Sequence, residues 1–160
     1  MKLHILAVGR LKGDAESSLV EDYLKRARGL ARQAGITAIE MRDFPESRAQ
    51  TAAERMRAEA AVLTQALPRD ATTIVLDERG KSMSSPEFAT RLSRLRDEGT
   101  GDLAFVIGGP DGHAPELRKK ASLLLSFGAM TWPHRLVRVM LAEQIYRVVT
   151  ILVKHPYHRP

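Results

Sequence analysis

Apolar and polar positions along this chain follow two periods, and the switches between them mark its elements. From Lys2 to Val8 the pattern is that of a strand, with Leu3, Ile5 and Ala7 alternating before a near-continuous apolar end that Gly9 closes. From Ala15 to Ala34 the apolar positions Leu19, Tyr23, Ala27, Leu30 and Ala34 recur at helical spacing, which predicts a helix stopped by Gly35. Ile36 to Met41 predicts a second strand. After the Phe44-Pro45 turn, Ser47 is placed to cap a second helix reaching Leu67, with Met56, Ala60, Leu63 and Leu67 on its buried stripe. Thr72 to Leu76 predicts a third strand, followed by a loop over Asp77 to Lys81. Ser85-Pro86 opens a third helix that runs to about Glu98 and ends at Gly99 and Gly101. A fourth strand, Leu103 to Ile107, stops at Gly108-Gly-Pro-Asp-Gly-His113. A short helix (about Pro115 to Ala121), a fifth strand (Ser122 to Ser126) and an irregular loop (Phe127 to Pro133) follow. The last helix spans Arg135 to about Val153, and His155 to Pro160 form a tail.

Strands alternating with helices predict an α/β fold with a mostly parallel sheet and helices on both faces. At 160 residues and 44% apolar, with no repeat or linker, residues 1–160 read as one domain. The absence of cysteine excludes disulfides and thiolate-bound metal. Met1 to Val8 is too short an apolar run for a signal peptide. The longest apolar stretch, Leu136 to Val153, carries Arg138, Glu143 and Arg147, which a membrane span rarely tolerates, so a soluble protein without a membrane partner is expected; the lack of cysteine is compatible with a reducing cytoplasm, the expected location.

Charge changes the picture less by its total, +6, than by its placement. From His134 onward there are Arg135, Arg138, Arg147, Lys154 and Arg159 against Glu143 alone, together with His134, His155 and His158. Such an end suits either a polyanion such as nucleic acid or a merely solvated basic surface.

Three loops, Leu76 to Gly80, Gly108 to Gly112 and Phe127 to Pro133, fall at the carboxyl ends of consecutive predicted strands, where open parallel sheets bind ligands. Gly108, Gly109, Gly112 and Gly128 would expose backbone donors and acceptors there. Gly80-Lys81-Ser82 is not a P-loop, because Val75 stands where its first glycine must be, and Gly9 to Gly13 lacks the dinucleotide spacing. The last helix is apolar on nearly every face and so demands burial all round, within the chain or against a second copy. Arg138 amid those apolar residues must be paired or face a ligand, and Glu143 and Arg147, four apart, form a structural pair. In the tail, Tyr157, His158 and Arg159 offer a stacking ring, a group titrating near neutrality and a fixed cation, although a chain end is ordinarily frayed. His155 and His158 have no evident third ligand, so no metal site is predicted.

Five stretches together resemble one family: Leu76-Asp-Glu-Arg-Gly-Lys-Ser-Met-Ser-Ser-Pro-Glu-Phe-Ala89, Ile107 to Gly112, Met130 to Val139, Glu143 to Arg147 and Pro156 to Arg159. It is the ribosomal RNA large subunit methyltransferase H family of the SPOUT class, and the resemblance covers the whole chain. It implies an α/β-knot fold with a C-terminal trefoil knot, a homodimer, S-adenosylmethionine as cofactor, and methylation of the N3 nitrogen of a pseudouridine in 23S rRNA of the assembled ribosome. The family's cofactor positions correspond to Leu76, Gly108, Phe127, Gly128, Ala129, Met130, Thr131 and Trp132. Pro86 stands where an acid is common, and Gly128 and Trp132 fall at variable positions. On this reading His158 removes the N3 proton, Arg138 or Arg159 stabilises the developing anion, and Tyr157 stacks on or orients the base. Asp111 and His113 are read as shaping the glycine loop. The competing readings are a ribosome- or RNA-binding module without catalysis, and a small hydrolase using His113 and Asp111.

Overall fold

A computed structural model of the chain describes residues 1–159; Pro160, the end of the predicted tail, lies outside the described residues. Five strands, β1 (Lys2–Val8), β2 (Ala38–Phe44), β3 (Thr72–Ser82), β4 (Asp102–Ile107) and β5 (Leu123–Ser126), form one sheet in the order β2-β1-β4-β3-β5. Every pairing is parallel. The helices are α1 (Ala15–Ala31), α2 (Ala52–Ala66), α3 (Ser85–Asp97), α4 (Pro115–Lys120) and α5 (His134–Leu152), with a 3-10 turn at Arg32–Ala34.

Strand alternation sorts the core into two layers. Leu3, Ile5, Leu103, Phe105 and Ile107 pack with the buried stripes of α1, α3 and α5, while Leu6, Val8, Val75 and Val106 pack with Leu63 of α2 and Leu117 of α4. Helices therefore cover both faces, as the α/β pattern predicted.

The departures from the predicted elements have local causes. β2 starts at Ala38, two residues late, because Gly35 takes a left-handed conformation and Ile36 N–H closes back on Ala31 C=O. It runs on to Phe44, which pairs with Val8. Ser47 does not cap α2. Thr51 does, in a reciprocal capping box with Glu54, while Ser47 N–H donates to Glu59 Oε1 at 2.9 Å. Ser84, not Ser85, caps α3, again boxed with a glutamate, Glu87.

The largest departure is β3, which does not end at Leu76. It bulges outward and rejoins β5, so that Leu125 pairs with both Leu76 and Lys81. Gly80 permits this return, since a Cβ there would lie 2.6 Å from the Leu124 carbonyl carbon and oxygen. α5 is buried on one face, from Arg138 through Leu141, Ile145 and Val149, where it packs on α1 and α3. The expectation of burial all round is corrected within this chain: Leu136 is exposed, and Val137, Val139, Met140, Ile151 and Leu152 are half-buried.

Candidate functional site

The bulge of β3 and the carboxyl ends of β4 and β5 border two adjoining cavities of about 410 and 60 Å3 that share Leu76, Asp77, Glu78 and Val137. Ile107 to His113 and Thr131 complete the larger; Leu125 to Gly128, Met130 and Trp132 complete the smaller. Of the expected cofactor residues, Leu76, Gly108 and Thr131 border the first cavity, and Leu76, Phe127, Gly128, Met130 and Trp132 the second. Ala129 borders neither, although it belongs to the same loop. Met130 is 72% exposed and Trp132 41%, so this wall presents open apolar surface.

The three loops are tied to one another. Thr131 Oγ1 donates to Glu78 Oε2 at 3.0 Å, and Ser126 Oγ donates to the Glu78 carbonyl at 3.2 Å. Arg55 of α2 grips Asp111 with two bonds, Nε to Oδ2 at 2.7 Å and Nη2 to Oδ1 at 3.1 Å. That guanidinium holds the Asp111 carboxyl below its usual range. Under the glycine loop lies Glu59, buried, its titration raised by burial; a Cβ at Gly109 would lie 2.9 Å from its Oε2. His113 turns away from Asp111: its Nε2 accepts from Gly108 N–H at 3.0 Å and stands 3.1 Å from Leu76 O, with burial holding the ring below its usual pKa. Asp111 and His113 thus serve separate partners and form no dyad, which removes the geometric basis of the hydrolase reading.

The sequence reading missed Arg55, Glu59 and His134. Nothing in a local pattern links Arg55 to Asp111, 56 positions away. His134 opens α5 beside Glu46, at 3.3 Å, and burial lowers its pKa. The histidine was visible, but not its place against Gly9 and the larger cavity.

The predicted catalytic residues are not gathered at these cavities. Arg138 is 1% exposed, and its Nη2 donates to Val8 O at 2.9 Å and Gly9 O at 2.6 Å, with Asp43 3.7 Å from Nη1. It fastens α5 to the end of β1, the paired one of the two placements expected for it, and it borders neither cavity. The tail folds back on α5. Tyr157 O–H donates to Glu143 Oε1 at 3.0 Å, its ring lies 4.5 Å from that of Tyr146, and the Arg147 guanidinium lies 5.0 Å above it. Burial and the Glu143 carboxylate push the Tyr157 phenol up to about 12. His158 Nδ1 is buried without a hydrogen-bond partner among the described residues, and Arg159 is exposed. No described tail residue borders either cavity. Much of the C-terminal basic charge is also spent inside the chain, Arg135 on Asp14, Arg138 on backbone carbonyls and Arg147 on Glu143, which leaves Lys154 and Arg159 outward. Among the described residues no group of His, Asp and Glu side chains could hold a metal ion, and no helix is long and apolar enough to cross a membrane.

This architecture has relatives. A family model described as a predicted SPOUT methyltransferase matches residues 1–158. Proteins named ribosomal RNA large subunit methyltransferase H are similar over 159 residues: one from Bradyrhizobium sp. (strain ORS 278) at 50% identity, covering 99% of this chain and 98% of the relative. Those from Bartonella bacilliformis and Rhodopseudomonas palustris (strain HaA2) are each 52% identical, covering 99% of both chains. The three-loop site at the carboxyl edge of a parallel sheet, the five sequence stretches and these full-length similarities agree: the chain belongs to the SPOUT methyltransferase family, and within it to the ribosomal RNA large subunit methyltransferase H family.

Proposed function

We propose that residues 1–160 act as one domain and, as a homodimer in the cytoplasm, transfer a methyl group from S-adenosylmethionine to the N3 nitrogen of a pseudouridine in 23S rRNA of the assembled ribosome. The observation that carries this is the cavity built by three loops at the ends of β3, β4 and β5. Its volume, about 410 Å3, falls in the range of roughly 300–1,000 Å3 usual for small-molecule sites. The donor set fits a nucleoside with an amino-acid arm. Gly108 borders the larger cavity in a loop too tight for a side chain, which would meet Gly112 O at 2.9 Å, Leu76 borders both cavities, and Met130 and Trp132 offer apolar cover. The implied trefoil knot accords with the path of the chain: Phe127 leaves the edge strand β5, and by Arg138 the chain is bonded to β1, beyond β3 and β4.

The cofactor, when bound, supplies an electrophilic methyl group; the chain must hold it in line with the attacking nitrogen, and positioning supplies much of the rate. Leu76, Gly108 and the Phe127–Trp132 loop hold the nucleoside, Ala129 acting through the loop's shape. The attacking N3 must lose a proton. His158 takes it, Arg159 faces the developing anion, and Tyr157 orients the base while anchored by Glu143. Arg138 serves by fixing the start of α5 against β1. Because the tail borders neither cavity of its own chain, it completes the site of the partner, and the half-exposed apolar face of α5 is where the two copies meet.

The test is methyl transfer to ribosomes that lack the modification, with the product nucleotide located by mass spectrometry. Methylated pseudouridine in 23S rRNA is expected, and free rRNA should react far more weakly. Cofactor-dependent labelling elsewhere, or none, contradicts the proposal. The reading as a binding module without catalysis predicts ribosome binding with no thermal shift from S-adenosylhomocysteine.

A further inference from the structure

His113 stands where the β3–β4 ladder ends. Ser122 N–H donates to Thr73 O on the β5 side of β3, so by strand alternation the Leu76 carbonyl faces β4. With Leu76 opposite Ile107, the next bond of a parallel ladder would run from Gly108 N–H to that carbonyl. Gly108 N–H instead donates to His113 Nε2 at 3.0 Å, and the same nitrogen lies 3.1 Å from Leu76 O. His113 is therefore a wedge at the last rung, on the wall that both cavities share at Leu76.

One ring nitrogen cannot serve both groups. With the proton on Nδ1, Nε2 spends its one lone pair on Gly108 N–H and has no hydrogen to offer the Leu76 carbonyl. With the proton on Nε2, the ring donates to Leu76 and leaves the Gly108 amide unpaired. A buried N–H without a partner is rarer than an under-satisfied carbonyl, which favours the first form. Burial also keeps the ring neutral, because it depresses the pKa of His113. In that form one group of the wall is unsatisfied, and it is an acceptor.

We propose that His113 is a positioning residue of the cofactor site: as the Nδ1–H tautomer it holds Gly108 N–H, keeps the last β3–β4 rung open, and leaves the Leu76 carbonyl to accept a hydrogen bond from an N–H or O–H of the bound nucleoside. This rests on the cofactor reading above and names the group on the chain that selects for a donor at this point of the wall.

The test uses the full-length protein labelled with 15N-histidine. Long-range proton–nitrogen spectra should show His113 neutral with its proton on Nδ1, both alone and with S-adenosylhomocysteine. His113→Leu should lose about tenfold in affinity for S-adenosylhomocysteine by calorimetry, the loss of roughly one hydrogen bond. His113→Gln, whose Oε1 can accept from Gly108, should stay within about threefold of wild type, the loss being a fraction of one hydrogen bond. Analogues with the adenine amine replaced by a carbonyl, or lacking one ribose hydroxyl, identify the donor: one of them should bind wild type about tenfold more weakly and His113→Leu no more weakly than S-adenosylhomocysteine does. An Nε2–H tautomer in the free protein, or equal affinity of wild type and His113→Leu, overturns the proposal and leaves the cofactor reading standing. Failure of S-adenosylhomocysteine to bind wild type overturns the cofactor reading itself, whatever the tautomer.

Discussion

Around the first turn of α5 the protein presents glycine backbone among side chains already paired, and from the middle of α5 to the tail it presents a mesh of side chains. The cavity sets the glycines at 108, 109 and 112 among charged side chains that the chain itself holds, Asp111 by Arg55, Glu78 by Thr131 and Asp77 by Arg118. The tail region is a mesh of Glu143, Arg147, Tyr146 and Tyr157, ending in a histidine whose Nδ1 has no partner among the described residues and an exposed arginine. Glu143 lies nine residues beyond His134, so about 14 Å of α5 separates the mesh from the cavity. A backbone wall suits holding a ligand of fixed shape, because its groups cost no side-chain ordering. A side-chain mesh suits a group that must meet a large, separately folded substrate and move a proton. The contrast accounts for why the proposed mechanism divides its work between two places that one chain does not bring together.

Substitutions can break that contrast at either end. The largest expected effect belongs to Arg138, which joins the cavity end of α5 to β1. Arg138→Ala leaves the Val8 and Gly9 carbonyls without their donor and opens a void, and urea denaturation should show a loss of about 3 kcal/mol. A loss near zero would mean that the anchor is dispensable. His158→Ala should act on the other quantity: a drop on the order of a hundredfold in single-turnover methyl transfer, with the urea midpoint and S-adenosylhomocysteine affinity unchanged. Full rates across pH would remove His158 from the mechanism.

Gly80→Ala tests the cavity end through the backbone alone. Its Cβ would meet Leu124 at 2.6 Å, so β3 cannot rejoin β5 without moving, and about 2 kcal/mol of stability should be lost together with cofactor affinity. The smallest effect is expected in the mesh. Tyr157→Phe removes one bond to Glu143 and should cost about 1 kcal/mol. Ultraviolet titration of the wild type should show one phenol ionising near pH 12, and Glu143→Gln should lower it part of the way, burial still holding it above the usual phenol value. The sign follows from the carboxylate, whose charge disfavours a phenolate beside it. An unshifted phenol in both proteins would mean that the tail does not rest on α5.

The backbone half of this contrast was legible in the sequence because glycines and strand ends are local signals. Gly108 and Gly109 after an apolar run announce a loop at a strand terminus, and the five strands appeared in their order. The sequence pattern did not show that β3 bulges and returns, because the return depends on Gly80 meeting Leu124, a contact between distant segments. Nor could it show Arg55 on Asp111 or Arg138 on β1, which join positions 56 and about 130 apart. The tail was legible only as a set of chemical groups. Its docking on Glu143 and Tyr146 turns on which face of α5 is left open by α1 and α3, and periodicity in a helix apolar on nearly every face does not reveal that.

The division of labour between cavity and tail is tested most directly by mixing two variants, each defective at one of them. Gly108→Val, whose side chain would collide with Gly112 and His113, should abolish cofactor binding, and His158→Ala should leave about a hundredth of the wild-type rate. When the two are unfolded together, refolded and assayed on unmodified ribosomes, heterodimers that pair one intact cavity with the partner's intact tail should restore methyl transfer toward about a quarter of the wild-type rate, since random pairing makes half the dimers mixed and each has one working site. Heterodimers shown by mass spectrometry to form, yet inactive, would contradict the account and place the tail and the cavity of one site in the same chain.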